Sequence, residues 1–466
     1  MPDEQKQLAR QILLQQIEIS LEAGDSSALG ELLHAQRSSD ITEVVELLDN
    51  EQRRAIFDVL DKSVSAEVLE KADEATRSEL FELLSSREVK AILSELDLDD
   101  AADLLAEVPE ARRDQLLRSM EPADSVLIKK LMSYSEDSAG GIMDPVLISA
   151  SEEATVAEAI NKIRTAEIDE DFYSVYVVDK TGRFLGDVRI RLLLTRPEST
   201  QIGDLIDPNT IYVTADADQE EVRNIFSKND LIVAPVLDKN HKLIGRITAD
   251  RIIEVAEEEA AEDLYTMAGT NPDELEKTSI FYAARIRMTW LLPCLIGTGI
   301  TALVMMLFKN HNPFVYVAAV AFVPMIAAIS GNAGLQTSAI VVSGLATGHL
   351  AALKLSQVFT REVRIALLVA VCCGIFGGLL CAFLPQLFGN SSASPIDFAK
   401  NFRIVPAFGI AMFSAIMVAT TLGLFLPFLF RRIGVDPAIS SGPLVTTVND
   451  SISVAIYMTL TLLLAG

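Results

Sequence analysis

One carboxylate of this chain lies in a segment where carboxylates are costly. Asp450 is the only charged residue between Pro437 and Gly466, and it lies near the middle of an apolar run from Ser441 to Leu464. Such a run is long enough for a membrane-spanning helix, which needs about 20 mostly apolar residues. A charge at that depth costs about 2.5–3.5 kcal/mol on insertion scales, so it usually faces a bundle interior or a water-filled path. Asp450 therefore predicts a cation route, and a purely structural, hydrogen-bonding carboxylate is the alternative.

The side chains around Asp450 suit a hard cation. Thr446 and Thr447 offer hydroxyls and Asn449 an amide within about one helical turn. Mg²⁺ demands octahedral oxygen coordination and loses its waters reluctantly, so a site for it combines few carboxylates with neutral oxygens. No soft ligand, the kind that transition metals prefer, lies near Asp450. These ligands suit a hydrated divalent ion such as Mg²⁺ as the cargo, with cobalt or another divalent metal as the alternative.

Charge divides the chain near residue 275. From Glu276 to the end there are eleven Lys or Arg against five Asp or Glu, whereas the first 275 residues carry 28 against 60. An acidic excess of this size argues against nucleic-acid binding, which requires basic surface, and it is compatible with multivalent cations. The sequence has no Walker loop, no His-Glu-x-x-His and no paired catalytic constellation, so we do not expect an enzyme.

Five apolar stretches in the second part are long enough to span a bilayer. They are Thr289–Phe308, Pro313–Val342, Val363–Phe388, Ile404–Phe430 and Ser441–Leu464. Basic loop residues favour a cytoplasmic amino terminus and an outside carboxyl terminus. Those on the cytoplasmic side are Arg285, Arg287, Lys354, Arg361, Arg364, Arg431 and Arg432, against Lys309, Lys400 and Arg403 opposite. We expect a multi-pass protein of the cytoplasmic (inner) membrane.

The acidic part contains two kinds of pattern. Residues Asp3 to Met132 show apolar positions at helical spacing with brief breakers, which predicts short helices stacked as a solenoid. From Asp144 to Asp250 the alternation is of the β type and occurs twice, at a constant offset of 59 residues. The expected elements are a helix Thr155–Arg164 with strands Ser174–Val178 and Phe184–Ile190, and a helix Asp218–Phe226 with strands Leu231–Leu237 and Leu243–Thr248.

The duplicated unit resembles a tandem pair of CBS domains. Such pairs often bind adenine nucleotides through a Gly-x-x-Thr-x-x-Asp signature at the end of the last strand. Here the second copy has Gly245 and Thr248 but Arg251 in place of the Asp, and the first copy, from Gly186, lacks both the Thr and the Asp. The resemblance implies ATP as a ligand, and the incomplete signature argues against it.

A strongly helical acidic segment follows the duplication. Its residues Glu259, Glu262 and Asp263 stand at i, i+3 and i+4, so they share one helix face and repel one another unless a cation intervenes. One interpretation is a solvated helix that joins two domains. The other is a helix that reports the cytoplasmic cation concentration to the pore.

Several motifs carry a resemblance that covers the whole chain. In the membrane part they are Ile329-Ser330-Gly331-Asn332-Ala333-Gly334-Leu335-Gln336, Gly434-Val435-Asp436-Pro437-Ala438 and Pro443-Leu444-Val445-Thr446-Thr447-Val448-Asn449-Asp450. Upstream stand Ser138-Ala139-Gly140-Gly141-Ile142-Met143 and Asp218-Gln219-Glu220-Glu221-Val222. In these motifs and their order the chain resembles the MgtE family of magnesium transporters.

The resemblance implies a homodimer with its pore on the twofold axis, between the second and fifth spans. The pore aspartate of the family corresponds to Asp450, and neighbouring positions on the ion path correspond to Thr446 and Asn332. Gly331 and Gly334 correspond to small residues where these helices approach closely, and their spacing alone favours simple close packing in lipid. We add Asn449 to the expected ion path for its amide.

The resemblance also implies regulatory Mg²⁺ sites that close the pore when cytoplasmic magnesium is high. The matching positions are Asp218, Glu220 and Asp230 in the CBS pair and Glu259, Glu262 and Asp263 on the acidic helix. In the helical domain, Asp99 and Asp103 belong to an acidic cluster without a firm match. Arg251 stands where many relatives have an acidic residue, and we expect its guanidinium to pair with Glu254 or Glu259 in place of an ion.

The predicted fold is thus a multi-domain membrane protein. It comprises an α-helical superhelical N-domain (1–135), an α/β tandem CBS pair (136–250), an acidic connecting or plug helix (251–275) and a five-helix transmembrane pore domain (276–466). The predicted function is Mg²⁺ uptake by a homodimeric, magnesium-selective and intracellular-magnesium-gated channel-like transporter embedded in membrane lipid. The alternative from another class is a membrane-anchored CBS nucleotide sensor that transports nothing.

Overall fold

The computed structural model describes residues 3–166, 172–272, 274, 280–311, 313–348, 350, 355–388, 404–440 and 442–465. The chain forms two compact units, Met1–Glu257 and Glu258–Gly466. The division between them falls inside one helix, Ala249–Ala268. Four positions used above, Lys354, Lys400, Arg403 and Ser441, lie outside the described residues, as does the boundary expected at 275. The domain boundaries at 135, 250 and 275 stay predictions.

The first unit begins with ten helices, most of which form pairs that recur at an interval of 24 residues. They are α1 (Asp3–Ala23), α2 (Ser26–His34), α3 (Ser38–Val45), α4 (Asn50–Val59), α5 (Lys62–Lys71), α6 (Glu74–Leu83), α7 (Ser86–Leu93), α8 (Leu98–Glu107), α9 (Glu110–Ser119) and α10 (Pro122–Leu131). The N-cap residues Asp25, Asp49, Asp73 and Asp97 follow one another at this interval.

Buried apolar residues follow the same 24-residue interval. Leu33, Phe57, Phe81 and Leu105 are all buried in one continuous core. Helices α3, α5, α7 and α9 contact one another in sequence, and α2, α4 and α6 do the same. Each repeat is therefore a helix pair that buries its apolar face against its neighbours, as in a solenoid. The predicted superhelical domain is confirmed.

The second part of this unit contains two matching three-stranded sheets. Their strands are β1 (Ser149–Ser151), β2 (Ser174–Val178), β3 (Phe184–Arg189), β4 (Val213–Thr214), β5 (Val233–Leu237) and β6 (Leu243–Thr248). Each sheet pairs its first two strands in parallel and its last two antiparallel, and the register Ser174↔Arg189 recurs as Val233↔Thr248. The predicted duplication with its offset of 59 is confirmed.

Four helices accompany the sheets: α11 (Val156–Thr165), α12 (Ile190–Thr195), α13 (Gln219–Asn229) and α14 (Ala249–Ala268). Thr155 and Asp218, predicted as helical, are instead N-caps whose side-chain oxygens accept the backbone N–H of Glu158 and Glu220. Capping residues stand just outside the helix they begin. The sequence pattern thus located these helices to within a few residues.

The second unit contains the membrane-spanning helices. They are α15 (Ile280–His311), α16 (Pro313–Val320), α17 (Val323–Ala346), α18 (Leu355–Phe388), α19 (Ile404–Arg432) and α20 (Pro443–Ala465). Within the described residues, five helices are long and apolar enough to cross a membrane. Helix α20 contacts α15, α17 and α19, and α19 also contacts α17 and α18.

The apolar stretch Pro313–Val342, predicted as one span, is divided between two helices. The chain ends α16 at Val320 and begins α17 at Val323. Pro324 lies in the first turn of α17, where a backbone N–H has no helical partner in any case. Hydropathy reads the same across both helices because it reports side-chain polarity and not backbone angles.

Candidate ion path and acidic cluster

Asp450 lies on α20 beside a position on α17 that has no side chain. A Cβ atom built on Gly331 would stand 3.8 Å from Asp450 Oδ1 and 3.7 Å from Thr446 Cγ2. The Asp450 side chain is partly exposed. Among the described residues, no hydrogen bond or ion pair to its carboxylate is found. The structure thus brings Gly331, Thr446 and Asp450 together around a carboxylate whose charge no described side chain balances.

Thr446 and Asn332 differ in their surroundings. The Thr446 hydroxyl is partly exposed and donates to the carbonyl of Gly442 at 3.0 Å, which leaves its oxygen able to accept or to ligate. Asn332 is exposed on α17. Gly334 takes part in a different contact, because its Cβ would meet the carbonyl oxygen of Ala419 at 3.1 Å. Their roles on an ion path stay predictions.

Asn449 is enclosed between two helices. It is fully buried, its Nδ2 donates to Ser330 Oγ at 2.9 Å, and its Oδ1 accepts from Ser453 Oγ at 3.0 Å. Ser330 in turn donates to the carbonyl of Ile326 at 2.7 Å. A buried polar network of this kind specifies one arrangement of the elements it joins. Asn449 therefore fixes the register of α20 on α17, and its role as an ion ligand stays a prediction.

In the first unit, acidic residues concentrate on helix α8. Asp99 is 8% exposed, and its Oδ1 is buried without a hydrogen-bond partner among the described residues. Burial, reinforced by the charge of Asp144, raises the pKa of Asp99 to about 7. Burial and the neighbouring Asp99 raise the pKa of Asp100 to about 8. Loss of hydration disfavours the charged form of each carboxyl.

Two arginines bring positive charge to this cluster. Arg246 Nε donates to Asp144 Oδ2 at 2.7 Å, and both side chains are buried. Arg251 Nη2 donates to Asp103 Oδ2 at 2.8 Å, and its Nη1 donates to Glu254 Oε2 at 3.1 Å. The pairing of Arg251 with Glu254, expected from the sequence, is therefore present. The pair Asp144–Arg246 was not predicted from the sequence, although Arg246 is a charged residue inside an otherwise apolar strand.

The residues predicted for regulatory sites in the CBS pair lie at two ends of one helix. Asp218 and Glu220 begin α13, and Asp230 ends it in a left-handed conformation with φ 51°. An eleven-residue helix is about 16 Å long, so within one chain Asp230 is remote from the other two. Glu220 also pairs with Arg223 at 3.7 Å. A single ion cannot join all three residues of one copy.

The acidic face of α14 belongs to the second unit. Glu262 is exposed, and Glu259 and Asp263 are partly buried. Within the described part of the chain, no group of three or more His, Cys, Asp or Glu side chains is arranged to hold a metal ion. The regulatory sites at these positions, and at Asp99 and Asp103, stay predictions.

The raised pKa values of Asp99 and Asp100 predict a pH-dependent stability of α8. A carboxyl whose pKa is higher in the folded than in the unfolded state stabilises the fold while it is protonated, and this stabilisation is lost as the pH rises through about 7 to 8. In chelator, hydrogen exchange of peptide 98–107, corrected for intrinsic rates, should be faster at about pH 9 than at about pH 6.

Asp99→Asn should weaken this pH dependence because the amide does not titrate. The matched control is Asp114→Asn on α9, where the side chain is exposed; this variant should exchange like the unmodified chain at both pH values. Greater protection of α8 at the higher pH would contradict the prediction.

Comparison with known proteins adds independent information. Profiles of three families match the chain: the MgtE intracellular N domain over residues 36–137, the CBS domain over residues 139–197 and 202–258, and the MgtE divalent cation transporter over residues 323–460. Over 350 residues the chain is 31% identical to the magnesium transporter MgtE of Thermus thermophilus, with 74% of each chain covered. The chain belongs to the MgtE family of magnesium transporters. The MgtE of Bacillus subtilis is likewise 31% identical, over 73% of this chain and 72% of that one.

A solved structure supports the same assignment for the first unit. The crystal structure of the cytosolic domain of the Mg²⁺ channel MgtE in complex with ATP matches with a TM-score of 0.50 and 32% sequence identity. The match covers 52% of this chain and 99% of that one. The predicted fold of helical domain, CBS pair and five transmembrane helices is confirmed. The family is one of multi-pass membrane transporters and not of enzymes.

Proposed function

We propose that this chain carries Mg²⁺ across the membrane as a magnesium-selective, channel-like uptake transporter. The observation that carries the proposal is the Asp450 carboxylate, which lies on a membrane-spanning helix beside Gly331 and has no counter-charge among the described residues. Such a carboxylate in a membrane is retained when it serves an ion path. The names of the MgtE relatives, all magnesium transporters, support the choice of ion.

The pore is formed by two copies of the chain. One Asp450 supplies a single negative charge, whereas a homodimer with its twofold axis near α17 and α20 supplies two, which match a divalent ion. Two carboxylates with Thr446, Asn332 and retained waters satisfy the octahedral preference of Mg²⁺. The protein is placed in the cytoplasmic (inner) membrane, with its amino terminus in the cytoplasm and its carboxyl terminus outside, as basic loop residues favour.

Gating by cytoplasmic magnesium acts through the acidic helix α14. The end of α14 touches the start of α20, because a Cβ on Gly442 would stand 2.0 Å from the carbonyl oxygen of Met267 and one on Gly269 would stand 2.8 Å from Pro443 Cγ. Ions bound by the acidic face of α14 hold this contact and keep the path closed. When magnesium falls, repulsion among the acidic side chains of α14 releases it.

One of two alternatives has specific support. The structure solved with ATP is that of a related cytosolic domain, which favours ATP as a second ligand of this CBS pair. If the chain transports no ion, it is a membrane-anchored nucleotide sensor. Cobalt or another divalent metal is the alternative cargo, and the oxygen ligands around Asp450 disfavour it.

Flux into proteoliposomes tests the proposal. Vesicles that contain the purified full chain should take up Mg²⁺ faster than Co²⁺. The Mg²⁺ influx should be lower when the magnesium concentration is high on the side of the membrane where the first unit lies. Empty liposomes are the control. Faster Co²⁺ than Mg²⁺ flux would favour the alternative cargo, and ATP binding without flux of any cation would favour the sensor.

A further inference from the structure

Two successive repeats of the solenoid contain a positive charge that the repeat beginning at Asp97 lacks. Four residues after the cap Asp49 stands Arg53, and four residues after Asp73 stands Arg77. The equivalent position after Asp97 is Ala101, which is fully buried. The repeat that begins at Asp97 therefore has no arginine at this position.

Both arginines join neighbouring helices of the solenoid. Arg53 donates from Nε to the carbonyl of Val45 at 2.8 Å, and Arg77 donates from Nη1 to the carbonyl of Ala72 at 2.7 Å. Each guanidinium also pairs with a glutamate of a later helix, Arg53 with Glu79 and Arg77 with Glu107. An arginine in this position thus ties the end of one repeat to the next.

Helix α8 belongs to the repeat that begins at Asp97, and the acidic residue Asp103 on this helix receives its positive charge from outside the solenoid. Its Asp103 bonds to Arg251, which is 148 residues away in sequence and lies in the first turn of α14. The Arg251 side chain is 18% exposed, and it simultaneously bonds to Glu254. Arg251 therefore holds together two carboxylates, one from the solenoid and one from α14, that would otherwise repel each other.

We propose that Arg251 is a tethered counter-ion that holds helix α8 against the start of α14 without a divalent cation. The guanidinium stays charged at every physiological pH and presents several N–H donors in a fixed plane, so it can bridge two carboxylates as a metal ion does. Because it is covalently attached, it does not leave when the magnesium concentration falls. This inference rests on the proposed function, because it identifies, within a region that responds to magnesium, one contact whose stability does not depend on magnesium.

Regulation by magnesium then acts on some contacts of the acidic residues and not on others. The contact of α8 with the start of α14 persists at low magnesium, and the response to magnesium arises from the other acidic positions. Removing the positive charge should make this contact dependent on magnesium, because Asp103 and Glu254 would then need a mobile cation between them.

Hydrogen exchange of the full chain in detergent tests this role. In the unmodified chain, peptides covering 98–107 and 249–257 should show equal protection in chelator and in Mg²⁺. In Arg251→Glu, their exchange in chelator should be at least about tenfold faster, the factor that corresponds to about 1.4 kcal/mol, and Mg²⁺ should restore protection. Arg251→Lys should keep most of the protection in chelator, and Asp103→Asn should reproduce in part the loss seen with Arg251→Glu.

The matched control is Arg118→Gln on α9, whose exposed side chain pairs only weakly with Asp114 at 3.8 Å; its exchange should not change. Magnesium-dependent protection of these peptides in the unmodified chain would overturn the proposal, and so would an Arg251→Glu variant that exchanges at the unmodified rate in chelator. Hydrogen exchange in detergent does not depend on transport. Absence of Mg²⁺ transport would therefore refute the proposed function, and the exchange result could still be interpreted.

Discussion

Replacing Asp450 with Asn is expected to lower Mg²⁺ influx into proteoliposomes by at least about 100-fold, which corresponds to about 3 kcal/mol in the barrier. The substitution keeps the size of the side chain and removes its charge from both copies of the proposed dimer. A divalent ion that passes this point would then lose the anionic partners that Asp450 supplies in a membrane-spanning helix, where a charge without compensation is costly. Influx of a radioactive or dye-reported divalent ion measures the effect.

Stability separates this role from a structural one. The Asp450 carboxylate has no hydrogen-bond or ion-pair partner among the described residues. The midpoint temperature of thermal unfolding of the second unit should therefore be unchanged or slightly higher in Asp450→Asn. A structural carboxylate would instead cost stability when replaced. Ser451→Ala is the matched control: this neighbour faces α15, where its hydroxyl lies 2.8 Å from that of Thr301, and its influx should remain near that of the unmodified chain. Full influx by Asp450→Asn would refute the pore assignment.

Replacing Gly423 with Ala is expected to disrupt the packing of the membrane unit. Helices α17 and α19 cross with their backbones in direct contact, because a Cβ on Gly423 would lie 2.3 Å from the carbonyl oxygen of Gly334 and 3.2 Å from the backbone N of Ser338. Both obstacles are backbone atoms, so no side chain can rotate away and the helices must separate. Overpacking of this kind costs about 1–3 kcal/mol and occasionally more, and small residues are the means by which membrane helices approach.

Thermal unfolding in detergent, followed by size-exclusion chromatography, measures this effect, and a clearly lower midpoint is expected for Gly423→Ala. The control is Gly299→Ala on α15, where the added Cβ would meet nothing within 4 Å; alanine also favours the helical state, so the midpoint should not fall. Influx should fall in Gly423→Ala as well, because α17 carries Gly331 beside Asp450. Equal midpoints for the two variants would show that the crossing tolerates separation.

The regular features of the fold followed from periodicity. Strands Ser174–Val178 and Leu243–Thr248 were predicted with the bounds that the structure has, because short apolar, β-branched runs bounded by turn residues are typical of strands. The 24-residue repeat of the solenoid is equally present in the sequence, in the caps Asp25, Asp49, Asp73 and Asp97. It was missed because acidic caps are common before any helix, and only the matching buried positions show that these belong to a repeat.

The sequence likewise predicted some residues of the candidate site and not the surroundings of others. The cost of a charge in lipid singled out Asp450 directly, and its neighbour Thr446 followed from helical spacing. Asn449 was assigned to the same ion path, yet it lies fully buried between α17 and α20 and bonds to Ser330 and Ser453. Two successive residues of a helix point about 100° apart, and the sequence does not say which of those directions another helix covers.

By itself, the sequence of this protein determined the membrane part, the CBS duplication, the acidic character of the first unit and the carboxylate at Asp450. These properties depend on composition and on local periods, which burial in lipid or in a core imposes on a single segment. Only the tertiary structure decided that Arg246 bonds to Asp144, Arg251 to Asp103 and Asn449 to Ser330. Those pairs join residues more than a hundred positions apart, and a charge or an amide acquires such a partner only when packing brings the two elements together.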